Sequence, residues 1–552
     1  MLAALDWLTP LPDAEQMRAV DRWAIDVRGV DGLQLMERAG AGVARAVERL
    51  VPDGPVGVVC GKGNNGGDGL VAARLLREAA REVTVVCVAA PQELSPDARV
   101  NLERLPGPAP VRLDGTPWAA GEPGSSPGRA GQAAPALGHA AILVDALLGT
   151  GFQGEPRGAV ADAIDAINGA GARVVSVDVP SGVDASTGVI SGVAVRASVT
   201  VTFHAAKPGL WINPGKGHAG MVETIDIGIP RGVPAQASVG LIEPSVLGLL
   251  ARRGASSTKF VSGHVLVVGG SLGLTGAVRM AAHASMRAGA GYVTACVPAS
   301  QQGIVAAGGT PEMMTRGLPD EDGALTPAGS QAVLAASARG GAIALGPGLG
   351  RSEGAFELAR ALAREAPVAM VLDADGLNAH AGRLEDLSRR DAPTVLTPHA
   401  GELGRLLELD SSEIERERLR HVRAAAEQAR AVVVLKGDDT LVADPAGRVA
   451  VSRGGSPALA TAGTGDVLTG VIAALLAQGL DAFVAAAAGV FLHAGAGREA
   501  ARRQGAPEGV IATDVIAALP GARTGAYGGD ETGRSRGGGR WDGGSEHGQE
   551  RT

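Results

Sequence analysis

Short apolar runs recur along this chain. Each is about a strand long, and most are followed by a polar, glycine-rich break. Val56-Gly57-Val58-Val59-Cys60, Val83 to Val88, Ile142-Leu143-Val144-Asp145 and Val174-Val175-Ser176-Val177-Asp178 open the series. Helix-length segments such as Asp68 to Ala80 lie between them. Continuous apolar strands alternating with helices predict a mostly parallel sheet covered on both faces. A second series runs through His264–Val268, Ala342–Leu345, Val368–Leu372, Thr394–Leu396 and Val432–Leu435. It closes with helices over Asp466–Gln478 and Ala482–Arg498. Residues 13–50 predict one or two helices ahead of the first series, and residues 231–258 hold the boundary. No internal repeat links the halves. The stretch 106–138 is rich in Pro, Gly, Ala and Ser and predicts an irregular insertion. The tail from 521 to 552 has almost nothing to bury and predicts disorder.

Composition narrows the class. A chain of 552 residues is too long for one core. Hydrophobic residues make up 45% and aromatics only 2%, so a globular core must be built from Val, Leu, Ile and Ala. A net charge of −8 argues against partners such as nucleic acid or an anionic membrane surface. Cys60, Cys87 and Cys296 have no metal-binding or disulfide spacing and fit a reducing compartment. No uncharged apolar run reaches the ~18 residues of a membrane span, and the N-terminus has no basic-then-apolar leader. The expectation is a cytoplasmic protein.

The polar breaks carry the chemistry. In the first half, Gly63-Asn64-Asn65-Gly66-Gly67-Asp68-Gly69 follows a strand and opens a helix, where backbone amides can cradle phosphate. Asp145 with Gly149-Thr150-Gly151-Phe152-Gln153-Gly154, then Asp178-Val179-Pro180-Ser181-Gly182, then His204-Ala205-Ala206-Lys207-Pro208-Gly209 end further strands. Carboxyl ends of parallel strands share one edge, so Asn65, Asp145, Asp178 and Ser181 can converge. Either carboxylate alone would read as a helix or turn cap.

In the second half, Ala462-Gly463-Thr464-Gly465-Asp466 opens an apolar helix. A carboxylate in such an anion site cannot help hold phosphate. It suits taking a proton from a hydroxyl that meets a phosphoryl group, against the plainer reading of a helix cap. Gly269–Ala277, Gly346-Pro347-Gly348-Leu349-Gly350, Asp373–Asn378, Thr397-Pro398-His399-Ala400-Gly401-Glu402 and Lys436-Gly437-Asp438-Asp439-Thr440 end other strands. The first lacks the G-x-G-x-x-G spacing of a dinucleotide fold with its ribose-binding acid, so hydride transfer is unsupported. No G-x-x-x-x-G-K-[ST] sequence occurs, which excludes a P-loop NTPase.

Taken together, N-N-G-G-D, V-D-V-P-S-G and H-x-x-K-P-G with G-P-G-L-G, T-P-H-A-G-E, K-G-x-x-T and A-G-T-G-D make the chain resemble the bifunctional NAD(P)H-hydrate repair enzymes. That family fuses an NAD(P)H-hydrate epimerase to an ADP-dependent (S)-NAD(P)H-hydrate dehydratase. The resemblance implies an α/β protein of two domains with mostly parallel central sheets. Residues 13–230 would form a Rossmann-like epimerase domain and 240–520 a ribokinase-like dehydratase domain, followed by the tail 521–552. The family's epimerase half interconverts the R and S hydrates of NADH and NADPH. Its dehydratase half restores the S form with ADP, releasing AMP and phosphate.

The resemblance also implies site residues. Asn64, Asn65, Gly66, Gly67 and Asp68, with Gly149, Thr150, Gly151, Phe152, Gln153, Gly154 and Glu155, would hold the hydrate. Asn65, Asp145 and Ser181 match ligands of K⁺, and Asp178 a substrate-binding catalytic acid, with Lys207 as its partner. Oxygen donors with one carboxylate suit such an ion better than Zn²⁺. In the second half Ala277, Gly348, His399 and Asp466 match hydrate-binding positions, and Lys436, Gly437, Asp438, Asp439, Thr440 and Gly465 the AMP-moiety site. Asp466 would be the general base and the Gly463–Gly465 amides would steady the moving phosphoryl group. Mg²⁺ would accompany ADP, with Glu402 and Asp373 nearby. A homo-oligomer, a tetramer or larger, is expected. The 106–138 stretch is longer than the family pattern, and the tail lies outside it. Two other readings compete. One is a ribokinase-like kinase of a small alcohol with a fused binding domain. The other is a scaffold that has lost its chemistry, which the intact Asp178, Lys207 and Asp466 oppose.

Overall fold

The computed structural model describes residues 5–113, 116, 136–230, 232 and 237–524. The first half is built on a six-stranded sheet in the order Val83–Cys87, Val56–Cys60, Ile142–Ala146, Arg173–Val177, Val199–Phe203, Met221–Ile225. Every neighbouring pair is parallel. All five residues of Val56–Cys60 and of Ile142–Ala146 are buried, as a sheet covered on both faces requires. Helices Gly32–Leu50 and Asn64–Glu78 pack against it, and Val43, Val47, Leu70 and Leu76 are buried in its core.

The second sheet has eleven strands. Its middle, from Val432–Leu435 through Thr394–Leu396, Ala369–Leu372, Ala342–Leu345, His264–Val268 and Tyr292–Pro298 to Met314–Leu318, is parallel. Beyond Val432–Leu435 lie the antiparallel Leu441–Ala443 and Val449–Val451, then Val239–Ile242 and Leu8–Pro10. Helices Thr275–Arg287, Thr464–Ala477 and Ala482–Gln504 cover one face, with Val471, Ile472 and Ala485–Ala488 fully buried.

Several expectations shift. The Asn-Asn-Gly-Gly-Asp run is the start of the helix Asn64–Glu78 itself, where the pattern placed the start at Asp68. Small Gly residues conceal it, because they carry no apolar period. The helix carrying Asp466 likewise starts at Thr464. The boundary stretch 231–258 contributes the strand Val239–Ile242. Val199–Phe203 alternates Val and Thr like a half-exposed strand, yet Thr200 and Thr202 are fully buried. The Thr200 hydroxyl donates to the Ala219 carbonyl at 2.6 Å, which satisfies it there. Within 106–138, Val111 bridges to Val86 and Leu137 is buried, so both ends of the stretch join the domain; 114–115 and 117–135 lie outside the described residues. The helix Ala512–Arg523 takes in the first residues of the expected tail, of which 525–552 lie outside the described residues.

Leu345 is fully buried at the end of a central strand that leads into Gly346–Gly350. Leu345→Ala is expected to cost about 2–5 kcal/mol, read as a lower denaturant midpoint of the full chain.

Candidate active sites

In the first half the strand ends and two helices enclose a cavity of about 800 Å³. Asn64, Asn65, Asp68, Gly149, Thr150, Gly151, Phe152, Asp178 and Lys207 line it. Gly66 and Gly67 are buried in the first turn of the helix below. A Cβ on Gly66 would stand 2.0 Å from the Gly61 carbonyl oxygen, so only glycine lets the helix start this close to the strand. Gln153, Gly154 and Glu155 do not line the cavity; the Glu155 side chain lies against Gly192.

Asp178 follows the strand Arg173–Val177 with φ +66°, a left-handed conformation that costs a non-glycine residue energy and places its side chain on the cavity. The Lys207 ammonium donates to Asp178 Oδ1 at 2.6 Å, and the Thr150 N–H and hydroxyl donate to Oδ2 at 2.7 and 2.5 Å. Burial alone would raise this carboxyl. The Lys207 charge and these hydrogen bonds outweigh it and hold Asp178 below the ordinary range. Lys207 is itself buried and also donates to Thr202 Oγ1 at 2.7 Å. Asp68 and Asp21 go the other way. Burial raises both, the Asp178 anion adds to it, and Lys207 only partly opposes the rise. The site thus holds one ionised carboxylate beside two carboxyls pushed toward the protonated form.

Asp145 and Ser181 sit behind the cavity wall. The buried Asp145 carboxylate accepts from Ser181 Oγ at 2.5 Å, Ser176 Oγ at 2.8 Å and the Ser181 N–H at 2.9 Å. Burial still leaves it raised, since its donors are hydroxyls and amides and none is a cation. Asn65 Oδ1 lies near Gly149, 3.0 Å from the point a Cβ there would occupy, and Asn65 Nδ2 is buried without a partner. Asp21, on the helix Ala14–Arg22, was missed from the sequence. Its signal was an acid placed on the apolar stripe Met17, Val20, Ala24.

In the second half Asp466 stands in the first turn of the helix Thr464–Ala477. Gly463 caps it with φ +89°, and a Cβ there would meet the Met280 side chain at 2.6 Å. Burial, together with the Asp373 anion, pushes the Asp466 carboxyl up to about 7, although Lys436 pulls it down. Asp373 ends the strand Ala369–Leu372 and is tightly held. It accepts from Thr397 Oγ1 at 2.8 Å, Thr469 Oγ1 at 2.7 Å and Lys436 Nζ at 3.0 Å. Lys436 also lies 3.5 Å from Glu402. Burial would lower the Lys436 ammonium, but the two carboxylates raise it, so it stays charged. A Cβ on Gly465 would be 3.8 Å from Lys436 Nζ and 4.0 Å from Asp373 Oδ2, which puts all three at one point.

His399 caps the helix Ala400–Leu407. Its Nδ1 accepts from the Gly401 and Glu402 amides at 3.0 and 3.3 Å, so the ring proton is on Nε2. Burial, with Lys436 and Arg405 nearby, lowers its pKa and keeps the ring neutral. Gly348 and Ala277 meet, since a Cβ on Gly348 would lie 3.2 Å from that of Ala277. Thr440 Oγ1 donates to the Gly437 carbonyl at 2.6 Å and shapes the turn. Asp438 is ion-paired with Lys216 of the first half. Asp439 is buried and accepts from Arg418 Nε at 3.1 Å. Arg418 and Thr469 were missed from the sequence, and Thr397 appears there only as the first residue of the His399 break, with no role. A fully buried arginine, or a threonine that orients a carboxylate, shows only once its partner is placed. Among the described residues no group of three His, Cys, Asp or Glu side chains is placed to hold a metal ion.

Known proteins match the chain half by half. Residues 32–209 match the family model described as YjeF-related protein N-terminus, and residues 265–521 the model for NAD(P)H-hydrate dehydratase. The bifunctional NAD(P)H-hydrate repair enzyme Nnr of Moorella thermoacetica is 42% identical over 92% of this chain and 96% of its own length. The enzyme of the same name from Salinibacter ruber is 40% identical over 93% and 95%. A solved ADP/ATP-dependent NAD(P)H-hydrate dehydratase of Bacillus subtilis covers 50% of this chain and 95% of its own, at 28% identity and a TM-score of 0.43. With a family model on each half, and such relatives matched across nearly the full length of both chains, the protein belongs to the bifunctional NAD(P)H-hydrate repair enzymes.

Proposed function

We propose that the two sites divide the repair as follows: the first half epimerises the R and S hydrates of NADH and NADPH, and the second dehydrates the S form at the expense of ADP. The observation that carries the dehydratase assignment is Asp466. A carboxyl poised near neutrality sits in a glycine-rich helix start beside Lys436. Asp466 takes the proton of the hydrate hydroxyl as that oxygen attacks the terminal phosphorus of ADP, and AMP leaves. The Gly463–Gly465 amides and Lys436 face the charge that moves with the phosphoryl group. The ring nitrogen's lone pair then expels phosphate with cleavage of the C–O bond. Loss of a proton from the neighbouring carbon restores the dihydronicotinamide. His399, with its proton on Nε2, and Ala277 and Gly348 flank the hydrate side. Lys436–Thr440 and Gly465 take the AMP moiety. Mg²⁺ carried by ADP would neutralise phosphate charge, and Asp373 and Glu402, held beside Lys436, would supply hard oxygens near it.

Epimerisation follows from the split among the first half's carboxyls. A protonated Asp68 gives a proton to the departing hydroxyl. The ring nitrogen stabilises the cation left behind, and Asp178 takes the proton of the water that returns to the other face. Asn64 to Asp68 and Gly149 to Phe152 hold the ring system, and Lys207 keeps Asp178 ionised. A K⁺ ion fits Asn65, Asp145 and Ser181, because the buried Asp145 anion has only neutral donors; it would supply the missing positive charge behind the Gly149 wall.

The small-alcohol kinase reading explains none of the first half's machinery. The domain limits 13–230 and 240–520 belong to this proposal, as does assembly into a homo-oligomer, a tetramer or larger. A cytoplasmic location rests on three buried free thiols. Among the described residues no helix is long and apolar enough to cross a membrane.

Purified protein with mixed NADH-hydrate epimers should recover dihydronicotinamide absorbance with ADP and not without nucleotide. Net phosphorylated hydrate accumulating instead would favour the kinase. Asp466→Asn should lower the dehydration rate by about 10²–10⁴-fold and leave epimerisation intact. In the wild-type protein a base must be ionised, so the dehydration rate should climb with pH through about 7 and fall about ten-fold per unit below it. A flat profile from pH 5 to 8 would remove Asp466 from that role.

Asp178→Asn should stop enzymic loss of the R epimer while the S epimer is still repaired. The enzyme-free rate must be subtracted. Normal R turnover would put the epimerase site elsewhere. Exchange of K⁺ for tetramethylammonium should slow epimerisation and leave dehydration of the S form with ADP unchanged. An unaltered epimerase rate would count against the ion.

A further inference from the structure

The segment Lys207–Lys216 starts in one active site and reaches the other. Lys207 holds the epimerase's Asp178. Five residues on, Ile212 is fully buried in the second half's core, together with Leu11, Val239, Leu435 and Leu441. The next N–H, that of Asn213, donates to Asp439 Oδ2 at 2.8 Å. Lys216 then ion-pairs with Asp438 and reaches its carbonyl at 3.4 Å. Asp438 and Asp439 belong to the Lys436–Thr440 loop. Asp438 Oδ1 also accepts from the Gly455 N–H at 3.2 Å. Asp439 also accepts from Arg418, whose guanidinium holds the Leu435 and Lys436 carbonyls at 3.4 and 3.2 Å. Each of the loop's two carboxylates is therefore gripped from both halves.

We propose that Asn213 and Lys216 of the N-terminal half are positioning residues for the dehydratase's nucleotide loop, so that part of the affinity for ADP is supplied by the neighbouring domain. The inference rests on reading Lys436–Thr440 as the nucleotide loop. The physical need is clear. A loop that receives a diphosphate carries two carboxylates of its own, and like charges repel. Arg418 neutralises Asp439 from within the second half. The Asp438 side chain is 61% exposed, and its cation is Lys216, whose own side chain is 17% exposed. Removing Lys216 releases one end of the loop and leaves a bare anion beside the ADP phosphates.

The full chain tests this. Initial rates of S-hydrate dehydration are measured against ADP for Lys216→Ala and Lys216→Arg. For Lys216→Ala the KM for ADP should rise about five-fold, the size expected for losing a half-buried pair, with kcat at saturating ADP held. Arginine should restore most of the affinity. A double-mutant cycle with Asp438→Ala should be non-additive. The epimerase rate on the R hydrate should not move. Lys216→Met keeps the side-chain stem and separates loss of charge from loss of packing if the alanine variant folds poorly. An unchanged KM in both variants, or an equal fall in kcat and kcat/KM, would overturn the proposal.

Gly437→Ala is the control on the reading beneath it. Its Cβ would stand 2.5 Å from the Arg418 guanidinium and distort the loop directly. If Gly437→Ala raises the KM for ADP and Lys216→Ala does not, the coupling is wrong and the loop assignment stands. If neither does, the nucleotide binds elsewhere.

Discussion

A strand buried on both faces can carry a charge only at its end. Both sheets here are of that kind at their centres, with Val56–Cys60, Ile142–Ala146 and Ala342–Leu345 buried along their whole lengths. The chain's polar chemistry is therefore driven to the carboxyl edges, where the helices that follow begin and their free N–H groups face outward. Asp178, Asp373, His399 and Lys436 all follow strands in this way. Two polar sites thus arise from one constraint, met twice in one chain.

At each edge a lysine lies against one buried carboxylate. Lys207 lies 2.6 Å from Asp178 and, with the Thr150 donors, overcomes the burial of that residue, while burial keeps Asp68 and Asp21 raised because Lys207 only partly offsets it there. Lys436 lies 3.0 Å from Asp373 and leaves Asp466 to titrate near neutrality. The pattern is the same in both halves. In each, the lysine touches one carboxylate, and a buried carboxyl it does not touch is raised toward the range in which it can exchange a proton.

The sequence displays the first constraint well and the second poorly. Strand runs such as Val56–Cys60 and His264–Val268 are read from apolar continuity alone, and the glycine-rich breaks mark where a site can form. Asp466 stood out because a carboxylate in an anion-binding turn contradicts its surroundings. Asp21 did not, because a single acid among Met17, Val20 and Ala24 reads as the border of an apolar stripe until the cavity forms beside it. Arg418 gave no signal either, because beyond its local partner Glu415 the groups that bury it, Asp439 and the Leu435 and Lys436 carbonyls, are brought to it only by the turn after Val432–Leu435. The strand Leu8–Pro10 is three residues long and pairs with Val239–Ile242, so no local pattern announces it.

That short strand shows why the halves are more than neighbours. It precedes the first sheet in the chain yet belongs to the second, and the chain returns to the second sheet only at Val239. The first domain is thus clasped at both ends by the other, through Leu11 in the same core as Ile212. A clasp of this kind removes the freedom of two domains on a single linker, so a contact between them is made at high effective concentration. Ties as weak as the Asn213 N–H to Asp439 can then persist, where the same bond between separate proteins would not survive the entropy of association. A single chain thus lets one half hold both carboxylates of the other's Lys436–Thr440 loop.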